Sequence, residues 1–471
     1  MTSVVATWRR TTILTTIEML PEDIILEVFD FYRLDAIEQT PGRPWKWHRL
    51  AHVCRKWRHI ISVSPRRLDL RIFCRKHGAA IRSTLVSWPT LPLVVSFSAR
   101  PESKHMPRHV MVALRRPERL CEIDLDVTSS MTSLMVETIQ KPCQVLERIR
   151  IKVQDATRSP ILVHNALLGG PAPHLREIKL DGISFPFPKI RQTLLSTSNL
   201  VELYLPNIPN DAYFSPHDLV TGLSTLVQLK QLTIGFLAPA SSPPPSMTRP
   251  PPQRITLPSL AFFDFHGASE YLEEFVAQID SPPSLCKITI RLFNDIFFEI
   301  PHLYQFLPCQ NALGSPTSMT VVHSLNSVTI YFSQDSHSSE YILDPCKQLD
   351  WQLSFVAQIS SQLSPLLSSV RSLTIRCPEL PTREDVDPTD WLQLFRPFTQ
   401  VTEIYIWDRQ LVSGVLQALI MPSDDMAPGV LPELELLNLR GYRSPSMVKA
   451  AEQFVATRRL SGQIVYLTDY Q

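Results

Sequence analysis

The chain predicts an α/β fold, with a short N-terminal helical unit followed by an irregular β-α solenoid of parallel strands. A six-residue pattern, apolar-x-x-apolar-x-apolar, recurs ten times between Leu120 and Ile406, with an eleventh, looser copy at Leu434–Leu439. Successive starts lie 26, 29, 25, 29, 31 and 25 residues apart from Leu120 to Leu285, then 40, 45, 31 and 33. Two amphipathic helical stretches of a different kind come first. A copy this short cannot bury its own apolar face, so copies must stack on one another. Stacked arrays mostly bind other macromolecules.

Composition narrows the function classes. The 471 residues could hold two or three ordinary globular domains, or one short domain and a long array, and 44% hydrophobic content is ample for a core. A net charge of +1 demands neither nucleic acid nor an anionic membrane. Only 13 glycines accompany 41 prolines, which argues against phosphate-cradling loops and dinucleotide folds. Eight cysteines are scattered with no Cys-x-x-Cys spacing, as in a reduced intracellular protein of the cytoplasm and/or nucleus. No stretch approaches the roughly eighteen apolar residues of a membrane span. Residues 1–17, rich in Ser and Thr, are expected to form a disordered tail.

The first helix is predicted from Leu20 onward. Pro21 suits the first turn, Glu22 and Asp23 complement the helix dipole, and Leu20, Ile24, Ile25 and Val28 make one apolar stripe. A polar interval runs from Arg33 to Pro44. Leu50, Val53, Cys54, Trp57, Ile60 and Ile61 then repeat at helical spacing and predict one second helix, with Arg49, Arg55, Lys56 and His59 on its other face. Two such helices cannot bury both stripes in about 45 residues, so the unit docks on a partner or on the array behind it.

The two halves in order, Leu20-Pro21 to Phe29 and Leu50 to Arg58, resemble an F-box over residues 18–65. The resemblance implies binding to the Skp adaptor of a cullin-RING ubiquitin ligase. The interface would be lined by Leu20, Pro21, Ile24, Ile25, Val28, Phe29, Leu50, Val53, Cys54 and Trp57, some of which must instead hold the helices together. The interval from Arg33 to Trp47 is longer and more polar than is usual between F-box helices. Charge is uneven here: seven acids and one arginine from Glu18 to Glu38, then twelve Lys/Arg and one acid from Arg43 to Arg82. The basic run reads as a solvated face complementing an acidic partner rather than as a nucleic-acid site.

The array occupies residues 66–471. Ser159-Pro160, Ser215-Pro216, Asp344-Pro345, Asp387-Pro388 and Ser444-Pro445 each pair an N-cap with proline at the first helical position. Tyr271, Leu272, Phe275, Val276 and Ile279 form an apolar helical face. Degenerate early units are expected near Arg67–Leu70 and Leu91–Val95. A β-α-β-α order with parallel strands follows. The strand pattern resembles leucine-rich repeats of the irregular kind behind fungal F-boxes. The family's Asn or Cys after the strand is absent, the sites being Thr128, Gln154, Ile183 and Ile208. An exposed loop insertion is expected about 238–252, which contains two triple-proline runs, with further loops near Gln310–Thr320 and Ser333–Glu340.

Alternation within strands predicts an exposed row: Glu122, Asp124 and Asp126, then Arg148, Arg150 and Lys152, then Glu177, Lys179 and Asp181, acids beside bases. Tyr204, Tyr331, Tyr405 and Trp407 fall on exposed strand positions and are candidate anchors for a protein target. No nucleophile elbow, phosphate loop or zinc-protease motif appears. His48 and His52 sit four apart with Cys54 and His59 nearby, but on a basic surface with no matched fourth ligand, and the histidines read as solvated. No catalytic, cofactor or metal residue is assigned. The expected role is a non-enzymatic substrate adaptor: the F-box holds the Skp adaptor and cullin core, and the repeats hold a protein target. The alternative is a leucine-rich-repeat scaffold with no ubiquitin role. An enzyme would need a deep pocket with convergent polar residues.

Overall fold

The computed structural model describes residues 19–39, 47–65, 67–74, 79–100, 103, 105–139, 141–154, 161–162, 168, 170–184, 187–237, 254–280, 282, 284–285, 287–292, 301–306, 317–323, 328–334, 337–343, 349–377, 387–420, 430–440, 445–460 and 462–468. The tail at 1–17, the 238–252 insertion, and the Ser159-Pro160 and Asp344-Pro345 caps lie outside these residues.

Among the described residues, the leading residue of each pattern copy is buried. Leu120, Leu146, Leu175, Leu200, Leu229 and Leu260 are 0% exposed. Each sits just before or at the start of a strand, and the two later apolar residues of the copy point to the same side. β1 (Ile72–Cys74), β2 (Leu93–Ser98), β3 (Leu120–Val127) and β4 (Arg148–Val153) begin the series. β5 (Ile161–Leu162), β6 (Glu177–Asp181), β7 (Ile183–Ser184), β8 (Glu202–Ile208), β9 (Gln231–Phe236), β10 (Phe262–Gly267) and β11 (Lys287–Leu292) follow. Nine of them form one open sheet in the order β1-β2-β3-β4-β6-β8-β9-β10-β11, and β5 pairs with β7 apart from it. Every pairing in the nine-stranded sheet is parallel. In β4, Ile149, Ile151 and Val153 are buried while Arg148, Arg150 and Lys152 are exposed, so one face of the sheet meets the core.

A second sheet contains β12 (Ser318–His323), β13 (Val328–Gln334), β14 (His337–Leu343), β15 (Ser372–Arg376), β16 (Glu403–Ile406), β17 (Leu436–Leu439) and β18 (Tyr466–Thr468). Its order is β14-β13-β12-β15-β16-β17-β18. The expectation of parallel strands throughout needs correction here: β12, β13 and β14 are an antiparallel meander. The wide pattern gaps therefore do not simply hold loops. Ser318–Thr320 belongs to β12, and Ser333, Gln334 and His337–Glu340 lie in β13 and β14. Alternation alone cannot distinguish a hairpin strand from a crossover strand. β11 and β14, the facing edge strands of the two sheets, run alongside each other.

The connections supply the second layer. Ser215 caps the helix Pro216–Leu223 by accepting from the Asp218 N–H at 3.1 Å, and Asp387 caps Pro388–Phe395 by accepting from Thr389 at 2.9 Å. Pro445 opens the helix Pro445–Leu460. Tyr271, Leu272, Phe275 and Val276 are buried on the helix Ser269–Val276, as their spacing predicts. The early units shift register: strands form at Ile72–Cys74 and Leu93–Ser98, not at Arg67–Leu70.

Packing of the helix Arg409–Ile420 on the helix Pro388–Phe395 leaves no slack at Gly414. A Cβ there would sit 2.9 Å from Trp391 Nε1, and Trp391 is fully buried. Gly→Ala inside a helix ordinarily stabilises by about 1 kcal/mol. In Gly414→Ala overpacking opposes that gain, at a cost of roughly 1–3 kcal/mol. Chemical denaturation is expected to show this variant no more stable than the parent; a gain near 1 kcal/mol would contradict the packing described.

Candidate binding surfaces

Three helices precede β1: α1 (Glu22–Gln39), α2 (His48–Ala51) and α3 (Arg55–Val63). Pro21 accepts the first helical bond, from Ile25 N at 3.1 Å. α1 continues to Gln39, well past Arg33, where a polar interval was expected. No proline or glycine falls between Pro21 and Pro41, and polar side chains such as Arg33 and Asp30, 3.5 Å apart one turn away, are compatible with a helix. The predicted single second helix is two. Cys54 is extended and caps α3, its Sγ accepting from Trp57 N at 3.4 Å.

α1 is apolar on two sides. Ile25, Leu26 and Phe29 are buried, and the Phe29 ring meets Trp57 edge-on at 4.9 Å. Lys56 Nζ donates to the Leu20 carbonyl at 2.8 Å, and Arg67 pairs with both Glu27 and Asp30, tying the helix down. The other side carries Ile24, Val28, Phe31 and Leu34 into solvent, with Ile24 44% and Phe31 71% exposed. Those positions recur at spacings of four and three residues, so they form one outward row.

The ten residues expected at an adaptor interface therefore divide. Ile25, Phe29, Leu50 and Trp57 are buried. Leu20 and Cys54 are half-buried, and Pro21, Ile24, Val28 and Val53 are exposed. Phe31 and Leu34 join the exposed set; continuing the stripe through Arg33 would have found them. The helical unit also docks on the strands behind it. Trp47 is buried, donates from Nε1 to the Arg71 carbonyl at 3.1 Å, and meets Trp88 edge-on at 5.0 Å.

The solvent face of the first sheet is a lattice of opposite charges. Registers run Glu122–Arg148–Glu177 and Asp124–Arg150–Lys179, as alternation predicts. The ion pairs are mostly diagonal. Arg150 binds Glu177, Lys179 Nζ lies 3.2 Å from Glu177 and 2.7 Å from Glu202, and Arg148 lies 3.0 Å from Glu122. Arg71 gathers Asp69, Glu122 and Glu147 at the β1 end. Glu177, expected to be exposed, is covered by Arg150 and Lys179 and is only 7% exposed. Burial pushes its carboxyl up, but hydrogen bonds from Arg150 and Lys179 outweigh that and hold it below the usual range.

The four candidate anchors fall on two sheets. Tyr204 is half-buried on β8, in register between Lys179 and Thr233. Tyr405 and Trp407 lie two residues apart at β16, both half-buried. The Tyr405 hydroxyl donates to Glu403 at 3.0 Å. Two guanidiniums lie over the Trp407 ring, Arg376 at 4.4 Å and Arg440 at 5.4 Å from its centroid. Backbone pairing places Tyr331 in the row Tyr331–Thr320–Thr374–Tyr405; its side chain lies outside the described residues.

Reactive groups are quiet. Burial pushes the Cys121 thiol up to about 12 and those of Cys74 and Cys143 up to about 11, so these cysteines are protonated at neutral pH. Among the described residues no group of three or more His, Cys, Asp or Glu is placed to hold a metal ion. Among them, too, no helix is long and apolar enough to cross a membrane. The chain matches no family model and no curated protein by sequence.

The charge lattice has a pH signature. Because Glu177 titrates below its unfolded value, its contribution is complete above the ordinary carboxylate range and is lost as pH falls through the lowered value. Glu177→Gln is expected to lower unfolding free energy by roughly 1 kcal/mol at pH 7. The gap between variant and parent should shrink as pH drops below about 4. A gap constant down to pH 3 would contradict the assignment.

Proposed function

We propose that this chain is a substrate-recognition adaptor of a Skp-cullin-F-box ubiquitin ligase, with an F-box over residues 18–65 and an irregular leucine-rich-repeat-like solenoid behind it. The observation that carries the reading is the outward apolar row of α1: Ile24, Val28, Phe31 and Leu34, together with the exposed Val53. A folded helix with its inner face already packed on Trp57 gains nothing from a second apolar face unless something covers it. That supports a docking handle, and the F-box-like residues name the Skp adaptor as its occupant. The strand faces, with Tyr204, Tyr331, Tyr405 and Trp407, are the proposed surface for a protein target. Tethering would raise the target's effective concentration near the ubiquitin-loading enzyme, so the chain itself performs no covalent step. The reading places it inside the cell, in the cytoplasm and/or nucleus.

The packing of Trp47 on Trp88 and Arg71 favours a second reading. There the helices cap a repeat scaffold that has no ubiquitin role.

Binding to purified Skp adaptor separates the two. Ile24→Asp with Val28→Asp is expected to weaken binding at least about a hundredfold, since burying two unpaired carboxylates costs several kcal/mol. Because both sites are exposed, the thermal midpoint should hold. Trp57→Ala, by contrast, empties a packed site and should cost about 3–5 kcal/mol of stability. No binding by the parent chain, or undiminished binding by the double variant, would favour the capping scaffold.

A further inference from the structure

A cavity of about 680 Å³ opens where α2 and α3 face the segment joining the helix Ala79–Ser87 to β2. Arg55, Arg58, His59 and Ser62 reach it from α3, one helical face at spacings of three and four residues. His52 enters from the end of α2. Trp88 and Thr90 line the opposite wall. Among the described residues lining it, none is acidic.

This is unlike the charge lattice of the first sheet. Arg71, Arg148, Arg150 and Lys179 all sit against carboxylates. Arg119 is spent on the carbonyls of Leu91 and Trp88. Arg55 and Arg58 stand one turn apart with no acidic partner among the described residues. Arg58 Nε donates to the Ala51 carbonyl at 3.0 Å, which ties the side chain to the end of α2. Two like charges held beside one concavity repel, and an anion seated between them relieves the repulsion.

We propose that this cavity binds a phosphate monoester carried on an organic body. Guanidinium forks match phosphate oxygens in pairs, and the imidazoles and hydroxyls nearby supply further N–H and O–H donors. The volume exceeds one phosphate severalfold and falls in the range of small-molecule sites. Trp88 and Pro89 give the non-phosphate part an apolar wall. A nucleic-acid strand fits less well, because it needs an extended basic track with open aromatic faces. Here Trp47 is buried and its indole N–H is already bonded. The proposal does not depend on the ligase reading; the cavity would bind its ligand with or without an adaptor on α1.

The test uses the full chain and fluorescence or calorimetric titration with phenyl phosphate, adenosine 5′-monophosphate, a phosphothreonine heptapeptide, their unphosphorylated counterparts, inorganic phosphate and a single-stranded RNA 12-mer. At least one phosphorylated probe is expected to bind about tenfold or more tightly than both its unphosphorylated form and inorganic phosphate. Arg55→Gln should remove about tenfold of that affinity with an unchanged thermal midpoint, whereas Arg108→Gln, exposed on another helix, should not alter it. Tightest binding by the heptapeptide assigns a protein source; tightest binding by phenyl phosphate or the nucleotide assigns a metabolite. Equal affinity for phosphorylated and unphosphorylated forms, binding of inorganic phosphate alone, tighter binding of the RNA, or full affinity in Arg55→Gln would each overturn the proposal.

Discussion

Each strand in the nine-stranded sheet depends on its neighbours for its backbone hydrogen bonds, and for burial of the leucine that leads it. That dependence is the constraint on which the architecture rests. A strand of five to eight residues such as β3 or β6 has no hairpin partner, so both of its edges must be met by strands roughly 25–30 residues away in sequence. The column Leu120, Leu146, Leu175, Leu200, Leu229, Leu260 is what survives of that requirement in the sequence, and all six are inaccessible to solvent. Because only one side chain in two faces the core, the other side of the same strands is left to polar residues. The Glu, Arg and Lys lattice there contributes little per pair where it is exposed, but it fixes which strand lies beside which.

The same constraint creates an edge. β1 ends the sheet, and the helical unit lies at that end through Trp47, Trp88 and the Arg71 carbonyl. One face of the unit is thereby consumed, and Phe29 with Trp57 consumes the inside of α1. What remains is the outer row of α1, together with a basic concavity whose arginines have no carboxylate partner among the described residues. Two unsatisfied features of different chemistry on one small unit point to two different occupants. Apolar side chains reward a large dry interface, while guanidiniums reward a compact anion.

Periodicity carried most of the fold to the surface of the sequence. The strands β3, β4, β6 and β8 to β11, helix caps at Ser215 and Asp387, and the register of Glu122 against Arg148 were legible because each depends on residues a few positions apart. The antiparallel meander of β12 to β14 was not. β12 and β14 fall in or beside segments expected as loops, because neither carries the six-residue pattern, and only pairing across the chain reveals direction. The break at Cys54 was hidden because a cysteine that caps through sulfur looks like one more apolar residue in a stripe. On α1 the sequence displayed both apolar sides at once, and nothing local distinguishes the side that meets Trp57 from the side that meets water. Glu177 shows the limit for charge: its burial comes from Arg150 on the neighbouring strand β4 together with Lys179 two residues along its own strand.

The central claim is that α1 has a working outer face, with the inner face serving as core. Amide hydrogen exchange of the full chain, alone and with the Skp adaptor in excess, reads that division directly. The account predicts added protection in residues 19–34 and 48–63 on adaptor binding, with strands β3 to β9 unchanged. Protection confined to the strand faces, or none within α1, would contradict it.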